Sequence, residues 1–227
     1  MNSEIVKQYG LSAGATVVGI ASAKDFGLAP DGFKPADNLD ECSSVIVIGV
    51  ASPPETLSKN SVEYTEIRNE MVKTTKSVAE KTAKQIKANG FKTKVIGGFS
   101  AKKENDRFYG QISLKHSAEL AGLGVITRNF LLTNHEHGNL LWLSAVLTDA
   151  NLVPDPKADY SFCHNCNKCV AVCPTKALDN SALFGQKECY QIVFKQLNNK
   201  WIYDCFLCRK VCPYRFGKLG IKNYELT

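Results

Sequence analysis

Cys163-His164-Asn165-Cys166-Asn167-Lys168-Cys169-Val170-Ala171-Val172-Cys173-Pro174 is the stretch that organises the whole chain. It reads C-x2-C-x2-C-x3-C-P. Three thiolates on one tight loop can cap three corners of a single 4Fe–4S cube, while the fourth, at the start of a short helix, points to a different cube. Structural zinc usually takes its four ligands as two separated pairs. Four cysteines within eleven residues, with proline after the last, favour the cube.

A second, shorter module follows at Cys205-Phe206-Leu207-Cys208-Arg209-Lys210-Val211-Cys212-Pro213. It repeats the first motif without its leading cysteine, because Ile202 stands three residues before Cys205. Two cubes need eight thiolates and these modules supply seven, so Cys189 is the remaining candidate. In the bacterial ferredoxin arrangement the last cysteine of each motif crosses to the other cube. One cluster is therefore expected on Cys163, Cys166, Cys169 and Cys212. The other is expected on Cys173, Cys189, Cys205 and Cys208.

Outward from these motifs, the chain has 227 residues and nine cysteines, and the other eight all lie beyond Cys42 at positions 163–212. Val153-Pro154-Asp155-Pro156 ends regular structure between the two regions. The expected domains are 1–154 and 155–227. No stretch approaches the roughly 18 apolar residues of a membrane span, and no membrane partner is expected. Met1-Asn2-Ser3-Glu4-Ile5-Val6-Lys7 lacks the basic and apolar regions of a secretory signal. Thiols without such a signal suggest a reducing, cytoplasmic and anaerobic setting.

The first region alternates helix and strand signals. Glu4–Tyr9 reads as a short helix ending near Gly10, while 16–20, 44–50 and 94–96 are β-branched runs. Ile67, Met71, Val78 and Ile86 recur at helical spacing between Val62 and Asn89, with Gly90 as a left-handed cap. Ser113–Leu120 is a further helix with Ser as its N-cap, and Leu140–Leu147 a further strand. This alternation implies an α/β layer architecture. Cys42, after Asp40-Glu41, reads as a structural or plain loop thiol. His164 reads as a surface or supporting group, and His135 and His137 as members of a polar turn. Gly97-Gly98 could line a ligand or turn the chain, and the residues alone do not separate the two.

The order of these features resembles the epoxyqueuosine reductase family, cobalamin-dependent iron–sulfur enzymes related to reductive dehalogenases. The lone Cys189, sixteen residues after Cys173, is part of that order. Ala121-Gly122-Leu123-Gly124-Val125-Ile126-Thr127-Arg128-Asn129-Phe130-Leu131-Leu132 is similar to the family's A-G-L-G-x-x-G-K-N-x-L-L segment. Gly138 and Leu147-Thr148-Asp149 also fall where the family has them. The resemblance implies an α/β domain of the α+β, nitroreductase-like, corrinoid-binding type, followed by a ferredoxin-like two-cluster module. It implies a corrinoid, with flavin as the lesser alternative, and electrons passing from outer cluster to inner cluster to cobalt. Gly122, Gly124, Arg128 and Asn129 are the residues it suggests for cofactor binding.

Several positions depart from the family. Phe108 stands where the family has its proton-donating aspartate, and Lys115 where it usually has glutamate. Asp106 and Glu104 lie close by, and Asp106 is the candidate general acid, given a shift of the loop. Thr127-Arg128 replaces Gly-Lys, keeping the charge. The sequence ends at Thr227, short of the extension that longer members use around tRNA, so a substrate other than tRNA is expected.

The net charge of +6 first suggests nucleic acid. Residues 155–227 hold 11 Lys+Arg and 6 Asp+Glu, net +5, whereas residues 1–154 hold 17 and 16, net +1. Each 4Fe–4S site adds about −2 by ligand counting, which brings the loaded protein to roughly +2. Lys168, Lys176, Arg209, Lys210 and Arg215 then read as compensation for cluster charge, or as a dock for a small acidic electron donor such as ferredoxin or flavodoxin. A nucleic-acid partner is not expected. The competing readings are a ferredoxin-like electron-transfer protein without catalysis and a structural iron–sulfur module that helps bind RNA.

Overall fold

The computed structural model describes residues 1–98, 102–104, 107–179 and 184–218. In chain order the helices and strands are α1 (Ser3–Ser12), β1 (Val17–Ser22), β2 (Ser44–Ala51), α2 (Ser61–Ala88), β3 (Thr93–Ile96), β4 (Lys102–Glu104), β5 (Arg107–Tyr109), α3 (Leu114–Leu120), β6 (Val125–Ile126), β7 (Leu132–Thr133), β8 (Leu141–Thr148), α4 (Lys168–Ala171), α5 (Gln186–Val193), β9 (Phe194–Leu197), β10 (Lys200–Tyr203) and α6 (Leu207–Lys210). They form two compact units. One comprises 1–51, 71–124 and 142–159, and the other 52–70, 125–141 and the chain from Tyr160 onward.

The first unit is built on a four-stranded sheet in the order β1-β2-β8-β3. β1 runs antiparallel to β2, pairing Val17 with Gly49 and Ser22 with Ser44, and β3 runs antiparallel to β8. β2 is buried from Ser44 to Val50, as an apolar run in a central strand should be. Its side chains alternate between faces. Ile46, Ile48 and Val50 join Ile20 and Val146 against Val6 of α1 and Val78, Ala79, Ala83 and Ile86 of α2. α3 packs against β1 and β2. The expected layers and four main strands are present.

Details differ from the sequence reading. α1 continues past Gly10, and its end is closed by the Ala13 N–H donating to the Tyr9 and Gly10 carbonyls. Ser113 occupies the N-cap position of α3, but its hydroxyl meets His116 Nδ1 at 2.7 Å instead of capping the backbone. Gly97 and Gly98 face α2, where an added Cβ would stand 3.3 Å from Lys76 and 3.1 Å from Val72, so packing accounts for them. Gly90 adopts the left-handed conformation, at φ 88°.

Residues 154–159 stay with the first unit, so the compact units divide differently from the linear boundary at 154. The reason is Asp155. Its carboxylate accepts from Ile20 N–H at 2.9 Å and from Lys7 Nζ at 2.5 Å, while its own N–H donates to the Ile20 carbonyl at 2.8 Å. The chain is thereby stapled to β1. Asp155→Ala leaves the Ile20 N–H without its acceptor, and should cost about 1–2 kcal/mol. A thermal melt compared with Asp159→Ala checks this.

The second unit has a small core of Leu57, Tyr64, Leu140, Phe206 and Phe216, with Tyr203 against it. The first turns of α2 belong here. Asn60 Oδ1 accepts from Val62 N–H and Glu63 N–H, and Glu63 returns a carboxylate oxygen to Asn60 N–H. This is a capping box. β9 and β10 form a hairpin closed by Asn198-Asn199, both left-handed at φ 48° and 60°. Two consecutive positive φ angles make a type I′ turn, which asparagine tolerates.

Candidate iron–sulfur centre

The two cysteine loops are built alike. α4 carries Cys169 and α6 carries Cys208, and the two short helices pack against each other. Asn165, left-handed at φ 53°, turns the chain between Cys163 and Cys166, and Cys166 N–H returns to the Cys163 carbonyl at 3.4 Å. In the second loop Arg215 clasps the Cys212 carbonyl twice, through its backbone N–H and through Nη1, each at 3.1 Å. Cys189 lies on α5, which leads directly into the hairpin.

The thiols fall into groups. Burial pushes Cys212 up to about 11, with Cys163, Cys169 and Cys166 adding like-charge repulsion. Cys169 is raised first by burial and then by Cys163 and Cys166. Burial pushes Cys208 up to about 12, with Cys189, Cys205 and Cys169 as its thiol neighbours and Arg209 opposing. The thiols that act on Cys212 as like charges are thus those of the first loop, although its sequence motif is the second. Cys173 Sγ lies 3.8 Å from Thr175 Oγ1.

Such a set suits an iron–sulfur core. Thiols gathered in burial resist ionising beside one another, and a cationic core removes that penalty by pairing each thiolate with iron. Among the described residues no three His, Cys, Asp or Glu side chains converge on a single-ion site.

The segment 125–141 supports both loops. Arg128 N–H points at Cys163 Sγ at 3.4 Å, and Asn129 Nδ2 donates to the Cys208 carbonyl at 3.2 Å. Asn129 Oδ1 accepts from Thr127 Oγ1 at 2.9 Å and from Leu131 N–H at 3.2 Å. Phe130 holds a left-handed φ of 56° within this turn, and its ring lies 5.4 Å from that of Phe184. The hydrogen bonds of Asn129, read from the sequence as cofactor-binding, thus run to protein groups. Gly122 is likewise demanded by protein backbone, since a Cβ there would stand 2.2 Å from the Pro156 carbonyl oxygen. Gly124 leads into β6. Arg128 differs from these. Among the described residues its buried Nε has no hydrogen-bond partner, a donor that calls for an acceptor.

Asp106, the candidate general acid, lies outside the described residues. Asn134 Oδ1 accepts from Glu136 N–H and His137 N–H, so His135 and His137 do sit in a polar turn. His164 is exposed. Cys42 is half-buried, its pKa raised by burial, with its thiol 3.5 Å from the Ser44 carbonyl. Of the basic residues, Lys168 and Lys176 are exposed, and Lys210 Nζ lies 4.3 Å above the Phe206 ring. The support that 125–141 gives to both loops follows no local signal in the sequence, where Arg128 and Asn129 suggested only a cofactor.

Residues 156–179 match the 4Fe–4S binding domain family. The epoxyqueuosine reductase of Lactococcus garvieae is 29% identical over 199 residues, covering 82% of this chain and 55% of that protein. The chain thus spans about half the length of that relative. Among solved structures, a reductive dehalogenase described for B12-dependent dehalogenation superposes with a TM-score of 0.75 at 18% identity, covering 98% of this chain and 33% of the other. An epoxyqueuosine reductase bound to an epoxyqueuosine-modified tRNA-Tyr stem loop superposes at 0.64 with 20% identity, covering 93% and 64%. That relative's RNA removes the ground for excluding nucleic acid on charge alone. No helix among the described residues is long and apolar enough to cross a membrane. The chain carries a 4Fe–4S binding domain, resembles epoxyqueuosine reductases in sequence, and shares a fold with them and with reductive dehalogenases.

Proposed function

We propose that the chain is an iron–sulfur oxidoreductase carrying two 4Fe–4S clusters and passing electrons to a corrinoid and a substrate. One cluster is assigned to Cys163, Cys166, Cys169 and Cys212, and the other to Cys173, Cys189, Cys205 and Cys208. The observation that supports two neighbouring clusters is the packing of α4, which bears Cys169, against α6, which bears Cys208 and leads to Cys212. A corrinoid supplies a metal that accepts electrons and reacts with substrate. The chain's own contribution is to hold the sulfurs and to offer donors. Arg128 N–H stabilises charge on Cys163 Sγ, and the buried Arg128 Nε fits a group that carries acceptors. Asp106 is the residue proposed to hold the proton.

Reconstituted protein incubated with hydroxocobalamin or flavin and then desalted should retain the cobalamin and release the flavin. The absorption spectrum reads the result. Retention of neither would leave electron transfer without catalysis as the function. A second reading, with a modified nucleoside in tRNA as substrate, is favoured by the stem loop held by the relative. A gel shift with such a stem loop tests it, and no shift at micromolar protein would set it aside.

A further inference from the structure

We propose that the β9–β10 hairpin is the docking face for an acidic electron-carrier protein that reduces the cluster assigned to Cys173, Cys189, Cys205 and Cys208. The inference rests on the proposed redox function and deepens it by naming where electrons enter. The hairpin is inserted between two of those ligands. α5 bears Cys189 and runs straight into β9, and Cys205 follows the end of β10 by two residues. A carrier seated here is therefore beside the ligands of one cluster, which short-range electron transfer requires.

The surface is both apolar and basic. Trp201 is 67% exposed, an unusual state for a tryptophan, and Leu197 and Leu207 are 41% and 44% exposed. Lys195 and Lys200 are exposed and form no ion pair among the described residues. From Cys189 to Tyr203 there is no carboxylate, and Glu188 and Asp204 flank that stretch. The register puts the two uncompensated lysines on one face with Leu197, opposite the face that bears Trp201, and that basic and apolar face selects a partner with surface carboxylates. The lysines steer its approach more than they strengthen the final complex, which suits a carrier that must leave again.

The hairpin is also pre-shaped. The Asn198-Asn199 turn fixes the register, which places Trp201 and Tyr203 on one face with Gln196 and Phe194. Phe194 meets Tyr203 edge-on at 4.6 Å and stacks with Tyr190 at 5.4 Å. Tyr64 and Phe206 stack at 3.8 Å behind Tyr203, whose ring lies 6.2 Å from that of Tyr64. Tyr190 adjoins Cys189 and Phe206 adjoins Cys205, so packed rings lead from Tyr203 of the hairpin to the residues beside the two ligands. In the encounter one electron leaves the reduced carrier, which is oxidised, and enters the cluster, which is reduced. No bond forms or breaks and no proton need move.

The test follows cluster bleaching by stopped flow in the reconstituted full chain. Reduced flavodoxin serves as the acidic carrier and dithionite as a reductant that needs no docking face. Lys195→Glu/Lys200→Glu should slow reduction by flavodoxin about tenfold or more, as should Leu197→Ala to a smaller extent, whereas Trp201→Ala on the opposite face should not, and none should alter reduction by dithionite. Added salt should slow the parent protein and not the charge variant. Unchanged flavodoxin rates in the charge variant would overturn the proposal, and so would equal slowing with dithionite, which would mark the hairpin as structural support. Loss of tRNA stem-loop binding in the charge variant with flavodoxin reduction intact would also overturn it, in favour of an RNA surface. Parent protein that holds no iron after reconstitution would instead overturn the redox reading beneath it.

Discussion

Cys212→Ala should halve the iron content, from about eight irons per chain to about four, and the cluster that disappears should be the one built on the first motif. Cys212 closes the motif that begins at Cys205, but in the ferredoxin arrangement the last cysteine of each motif crosses to the other cube. Cys163, Cys169 and Cys166 are the thiols that act on it as like charges. The companion variant Cys189→Ala should remove the other cluster. Iron analysis with electron paramagnetic resonance of the reduced protein distinguishes the two. Two variants losing the same signal would break the assignment, and Cys189→Ala keeping both clusters would remove Cys189 as a ligand. The effect is all-or-none for one cube, since three thiolates leave one iron without a protein ligand in a buried site.

Gly138→Ala should be the most destabilising single methyl in the second unit. Gly138 is left-handed at φ 57°, and a Cβ there would stand 2.3 Å from both the carbonyl carbon and the oxygen of Arg215. Neither atom can rotate away as a side chain would. The methyl must push back the segment that follows Cys212, whose carbonyl Arg215 clasps. Backbone strain and collision together should cost about 2–4 kcal/mol and loosen the Cys212 loop. The loaded protein should melt several degrees lower and release iron faster to a chelator. Glu136→Ala, two residues away and exposed, should leave both measurements near the parent values. A parent-like melt for Gly138→Ala would show that the two segments separate readily.

The cysteine loops were legible because ligand spacing is a local property. A cube fixes how many residues lie between its thiolates, and the chain must write that number into its order. The strands of the first unit were legible for a similar reason, as β2 carries an apolar run with no other use. What could not be read is the allegiance of 52–70 and 125–141. Leu57, Tyr64 and Leu140 pack with Phe206 and Phe216, and Asn129 reaches the Cys208 carbonyl. These contacts span long stretches of sequence and follow no spacing rule. The Asn198-Asn199 turn is a different case. It is a type I′ signal between β-prone runs, local enough to be legible in the sequence. The resemblance suggested cofactor roles for Gly122 and Asn129, and both also make structural contacts within the protein.

The amide of Arg128 directed at Cys163 Sγ has a consequence for how this protein tolerates change. Donors aimed at cluster sulfurs shift electron density away from them and help set the potential. Here the donor belongs to the main chain, which every amino acid except proline supplies. A lysine in place of Arg128 would therefore be silent at the sulfur, however much it altered the reach of the side chain. Drift at this position can retune what Nε touches while the voltage of the cluster stays where the fold has put it.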